Sequence, residues 1–174
     1  MKMKTILFLF AILIFGLASC STRNVAVQQA ENQAEEGVVI NGVRWATRNV
    51  ETPGRFASHP QSTGGFFTFD DARNACPPGW RLPTARELGS LGDGRRVNNR
   101  YGINGRTFGI EPNTIFLPAA GRRRHITGTS EGVGRSGWYW SSSPIDLTRA
   151  TALVGRNMNP TARGFWLSVR CVAE

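Results

Sequence analysis

Apolar and polar positions divide the chain into a greasy start, a polar stretch and a patterned body. Residues 6–18 read ILFLFAILIFGLA, 13 positions without a polar side chain. A bilayer-spanning helix needs about 20 such residues, so the run is too short for a permanent span and fits the apolar segment of a secretory signal. Lys2 and Lys4 supply the positive flank ahead of it. Residues 21–37 show no apolar period and read as a tether. Pattern returns at Val38-Val39-Ile40 and Val43-Arg44-Trp45, which flank Asn41-Gly42 and predict a β-hairpin.

After Trp45 the chain runs through Pro53-Gly54 and Ser62-Thr63-Gly64-Gly65, the chemistry of loops. Thr68 followed by Asp71 predicts a capped helix with Phe69, Ala72 and Cys76 on one face, stopped by Pro77-Pro78-Gly79. Thr84 and Glu87 form a second capping box before Leu88 and Leu91, with Gly92 as the stop. Residues 89–113 are rich in Gly, Asn and Arg and read mostly as loop. Strands are expected after residues 114–117, at 138–141, 150–154 and 164–172. In the last, Phe165, Leu167, Val169 and Cys171 alternate with Trp166, Ser168 and Arg170, predicting a core face and an outer face.

Charge changes the picture only after the signal is set aside. The 174 residues carry 21 Lys+Arg against 12 Asp+Glu, net +9, a balance that suggests a nucleic-acid partner. Leu17-Ala18-Ser19-Cys20 closes the apolar run and resembles the lipobox of bacterial lipoprotein signals. That resemblance implies cleavage of residues 1–19 and acylation of Cys20, with more than one acyl chain giving stable anchoring. Both lysines leave with the signal, so the expected mature chain has net +7 carried by 19 arginines. Such a chain meets membranes, anionic glycans or surface proteins rather than nucleic acid. The expected location is lipid-anchored at the outer membrane, facing the periplasm or the cell surface.

With Cys20 lipidated, Cys76 and Cys171 remain; an oxidising compartment favours their pairing, and two buried free thiols are the alternative. His59 and His125 lie in loops and sit at no metal-ligand spacing. No Ser/His/Asp order and no paired carboxylates are evident, so neither an enzyme nor a cofactor is expected. The letters of residues 132–137 spell GxGxxG, yet a predicted strand follows where a dinucleotide site needs a helix. Two groups are candidates for ligand binding. Arg122, Arg123 and Arg124, with Arg95, Arg96 and Arg100 in the earlier loop, could read acidic glycan or phosphate, or could form a solvated face. Trp138, Tyr139 and Trp140 could offer a sugar-stacking platform, although at least one face of that strand is expected in the core with Trp45, Trp80 and Trp166.

Several blocks resemble the Fibrobacter succinogenes major paralogous domain. They are Asn41-Gly42-Val43-Arg44-Trp45-Ala46-Thr47-Arg48-Asn49-Val50, Asp70-Asp71-Ala72-Arg73-Asn74-Ala75-Cys76, and Pro77-Pro78-Gly79-Trp80-Arg81-Leu82-Pro83-Thr84 with Glu87. Leu117-Pro118-Ala119-Ala120-Gly121-Arg122, Tyr139-Trp140-Ser141-Ser142-Ser143 and Ser168-Val169-Arg170-Cys171-Val172 follow in family order. More distantly the layout is similar to the C-type lectin-like fold, which implies a Cys76–Cys171 bridge independently of the cysteine count. Glu111-Pro112-Asn113 spells the lectins' sugar-binding tripeptide, but its position and the missing Trp-Asn-Asp partner favour a turn at Pro112.

The expectation is therefore an α+β protein. A small C-type lectin-like domain occupies 38–174, with two short helices packed on a twisted, mostly antiparallel sheet with long loops. It follows a signal (1–19) and a lipidated tether (20–37). Its expected function is to bind an extracytoplasmic ligand, glycan or protein. The alternative is an accessory subunit of a surface or fimbrial assembly making protein contacts only.

Overall fold

The computed structural model describes residues 37–100 and 102–174. The signal, Cys20 and the tether up to residue 36 lie outside the described residues. The expected hairpin forms from β1 (Val38–Ile40) and β2 (Val43–Trp45), with Ile40 opposite Val43. Asn41 and Gly42 both take positive φ, 50° and 79°, as this tight turn requires. Next come β3 (Val50–Thr52) and β4 (Arg55–Phe56), the helix α1 (Phe69–Ala72), β5 (Trp80–Arg81) and the helix α2 (Ala85–Ser90). Then follow β6 (Arg95–Arg100), β7 (Ile103–Ile110), β8 (Asn113–Pro118), β9 (Arg122–Arg123) and β10 (Ser130–Glu131). The chain closes with β11 (Trp138–Pro144), β12 (Arg149–Val154), β13 (Asn157–Ala162) and β14 (Val172–Ala173).

The α+β, C-type lectin-like expectation is corrected by these elements. The described chain is mostly strand, in several small antiparallel sheets, and its two helices span only four and six residues. The larger sheets run β1-β2-β14-β5, β6-β7-β8 and β11-β12-β13. Two physical causes account for the error. Both caps form as predicted, Thr68 accepting from the Asp71 amide and Thr84 from that of Glu87. A cap fixes where a helix starts but adds little length; α1 ends at Ala72 with Arg73 as its C-cap, four residues short of Cys76. The second cause is the stretch 89–113, expected to be loop. It supplies β6 and β7, paired from Arg95↔Thr107 to Val97↔Gly105 and, after a register shift, at Arg100↔Ile103. Polar side chains hid these strands because much of the β6 surface is solvated. Glu111-Pro112 makes the turn into β8, between Ile110 and Asn113.

The last segment also departs from the alternation rule. Only Val172–Ala173 is a regular strand, and the preceding residues cross the molecule through isolated bridges, Phe67↔Leu167, Arg123↔Trp166 and Tyr139↔Ser168. Pressed by neighbours on both sides, Ser168 and Arg170 are buried along with Leu167 and Val169. Two apolar clusters result, and β11 runs between them. Trp140 joins Phe67, Phe69, Leu167 and Val169 on one side. Tyr139 points the other way, into Trp45, Leu88, Phe108 and Leu153. Cys76 and Cys171 are joined in a disulfide across 95 residues of sequence.

Most of the blocks behind the family resemblance hold this interior together. Arg170 is wholly buried; its Nε donates to Asn49 Oδ1 (2.8 Å), Nη1 to Ala46 O (3.0 Å) and Nη2 to Phe116 O (3.0 Å). Asn49 in turn donates to Thr63 O (2.8 Å) and to the Tyr139 hydroxyl (3.4 Å), which donates to Pro118 O at 2.9 Å. On the other side, Arg81 grips Glu87 with both arms, at 2.9 and 2.6 Å, while Glu87 accepts from the Thr84 amide at 2.7 Å.

Candidate functional site

Arg122, Arg123 and Arg124 stand at the start of the β9–β10 hairpin, where Arg122 pairs with Glu131 and Arg123 with Ser130. The loop between them closes through Arg124 N–H to Thr129 O (3.0 Å) and Gly128 N–H to Arg124 O (2.9 Å). Glu131 collects two of the three guanidinium groups. Arg122 donates to it through Nε (3.0 Å) and Nη2 (2.9 Å), and Arg124 through Nε. The hydrogen bonds from Arg124 and then Arg122 hold the Glu131 carboxyl below the usual carboxylate range.

Arg122 is also stacked. Its guanidinium lies 4.4 Å from the Trp138 ring centre and 4.0 Å from that of Phe165, an arginine between two aromatic faces. Arg123 takes the other side of the hairpin, over the Phe66 ring at 4.5 Å. Its backbone exchanges two hydrogen bonds with Trp166, N–H to O at 2.9 Å and O from N–H at 3.0 Å. That pairing holds the Trp166 indole at the surface, 37% exposed, where its Nε1 donates to His125 Nδ1 at 3.4 Å.

Beside this stack lies a cleft of about 340 Å³ lined by His125, Ile126, Ala162 and Phe165 among others. Ile126 stands at its lip, 93% exposed. The volume falls in the range of small-ligand and side-chain pockets, and the wall is apolar with polar groups at the edge.

The six predicted residues are thus divided. Arg122, Arg124 and Trp138 are brought together around Glu131 and Phe165, and Arg123 faces away over Phe66. Tyr139 and Trp140 are interior. Trp140 Nε1 donates to Phe67 O at 2.9 Å, and its ring meets Phe69 edge-on at 5.5 Å. Burial pushes the Tyr139 phenol up to about 12, against the opposing pull of Arg170 and Asn49. Neither side chain offers a surface to a ligand, so the three-residue platform reduces to Trp138. Trp45 and Trp80 are buried as expected, whereas Trp166 is at the surface.

Phe66, His125, Ile126, Phe165 and Trp166 were missed as site residues. The alternation of residues 164–172 placed Trp166 outward, which was the available signal; nothing local in sequence ties it to the hairpin. Among the described residues no group of three or more His, Cys, Asp or Glu is placed to hold a metal ion. No family model, curated protein or solved structure matches the chain.

Proposed function

We propose that the chain is an exported lipoprotein, tethered at the outer membrane through lipid on Cys20, whose β-rich domain binds an extracytoplasmic ligand on the hairpin face. The ligand that fits this face best is a protein segment that inserts an apolar side chain. The carrying observation is the apolar cleft with Ile126 at its lip beside a part-exposed Trp166. Exposed aromatic and aliphatic anchors around a concave apolar wall are the usual centre of a protein interface. An anionic glycan fits less well, because Arg122 and Arg124 already spend donors on Glu131. The resemblance to the Fibrobacter succinogenes major paralogous domain belongs to the same proposal. Asn49, Arg81, Glu87 and Arg170, which carry part of it, make internal contacts, and that supports a scaffold whose ligand contacts lie elsewhere.

The test places a photo-crosslinking residue at position 126 or, as a control, at the equally exposed Leu147, in the full chain in intact cells. A discrete protein adduct from 126 alone, lost with Trp166→Ala, is expected. Equal labelling from both positions, or glycan-array binding without a protein adduct, would overturn the reading. Fractionation of Cys20→Ser in the same cells reports on the tether: release from membranes is expected, and unchanged membrane association would refute it.

A further inference from the structure

The turn whose letters spell GxGxxG has a use unconnected with nucleotides. It closes one side of a small cleft whose other side is the β6–β7–β8 sheet. Arg96 and Arg106 are direct cross-strand partners, so both side chains leave the sheet on one face, and Arg135 reaches the same cleft from the turn. Like charges placed opposite each other weaken strand pairing unless a negative group lies between them. Among the described residues, none that lines the cleft is acidic. The Asp93 carboxylate, on the turn before β6, is 82% exposed and lies 3.9 Å from Arg156.

The donors of the cleft are only partly used. Arg106 Nη1 donates to the main-chain oxygens of Asp93 (2.8 Å) and Gly94 (3.0 Å), which aims its guanidinium. Asn104 Nδ2 donates to Gly134 O at 3.0 Å and fastens the turn to the sheet. Among the described residues, the side chains of Arg96, Arg135 and Ser136 make no hydrogen bond or ion pair. Backbone forms the wall beside them. A Cβ at Gly137 would lie 2.7 Å from both Pro118 O and the Tyr139 ring, so only glycine lets the turn pack this closely.

The cleft holds about 60 Å³, room for a few water molecules and too little for a sugar ring or a base. A planar carboxylate presents one edge to a guanidinium fork, whereas a tetrahedral anion can meet three forks from three directions. We propose that this cleft binds a single tetrahedral oxyanion, sulfate or phosphate, free or carried as a monoester on a glycan or lipid headgroup. The site is separate from the hairpin face and does not depend on that face's ligand.

The experiment follows backbone amide shifts of the full chain in detergent while sulfate replaces chloride at constant ionic strength. Saturable shifts at Gly105, Gly134 and Gly155 are expected. Arg96→Gln and Arg135→Gln should each weaken sulfate binding about tenfold, the loss of one charge-assisted contact. Arg123→Gln, on the hairpin, should leave it unchanged. Arg135 sits on an exposed turn, so Arg135→Gln keeps the test usable even where Arg96→Gln disturbs the sheet. Shifts that are unsaturable, that chloride reproduces, or that survive both substitutions would overturn the site. Inorganic phosphate and glycerol 3-phosphate then distinguish the sources. Tighter binding of the ester points to a carried group, equal or weaker binding to the free ion, and binding of neither phosphate species confines the proposal to sulfate.

Discussion

Arg170 carries a guanidinium into an interior where an isolated charge is costly, and it is retained because three oxygens accept its hydrogen bonds, Ala46 O and Asn49 Oδ1 from the connection after β2 and Phe116 O from β8. One of them, Asn49 Oδ1, belongs to a side chain that also reaches Thr63 O and the Tyr139 hydroxyl. Deleting one member therefore leaves others unmet. Asn49→Ala should cost about 1.5–3 kcal/mol, the range for hydrogen bonds to a charged group. Tyr139→Phe loses only the donation to Pro118 O and a long contact from Asn49, and should cost about 1 kcal/mol. Urea midpoints of the two variants, with unchanged slopes, measure both. The sequence could not show this hub. Arg170 sits at an outward position by alternation, and the partners that cover it are 54 to 124 residues away.

At the scale of elements, local chemistry was the readable part. The Asn41-Gly42 turn and the two helix caps form where the sequence places them, because each depends on neighbours within a few residues. Strands β6 and β7 were unreadable for the opposite reason: what makes them strands is pairing across the sheet. The α2 cap also has a pH consequence. The Arg81 hydrogen bonds, with help from Thr84, lower the Glu87 carboxyl from 4.5 to about 2, against the cost of its partial burial. The unfolded chain then binds the proton more readily than the folded one, so this stability is complete above about 4.5 and is lost as pH falls towards 2. Glu87→Gln should be less stable than the parent at neutral pH. The gap should close as denaturation is repeated at falling pH, and a gap that stays constant would exclude the linkage.

For the whole molecule, the decisive cross-link was readable and the architecture was not. Compartment and cysteine count pointed to Cys76–Cys171, and the bridge is present. Sheet order and the passage of β11 between two clusters depend on long-range packing that no local pattern records. Two of the six predicted ligand-binding residues are buried for that reason, since Tyr139 and Trp140 face opposite clusters and both are covered. A bridge closing so long a loop constrains the unfolded chain by about 4–5 kcal/mol in the entropic account. Replacing both cysteines by alanine should lower the unfolding free energy by about 3–4 kcal/mol, read from denaturant midpoints in the oxidised parent and the variant.

The backbone pairing of Arg123 with Trp166 has a mechanical side. The chain enters the domain at Gly37, beside β1; β1 pairs with β2, and β2 with β14. Between β14 and Trp166 lie only residues 167–171, fastened by the disulfide at Cys171 and the three-armed grip of Arg170. In the proposed state, tethered to a membrane and holding a ligand on the hairpin, tension would run along this path. Residues 167–171 would bear that load and pass part of it to β8 through Arg170 and to β11 through Ser168.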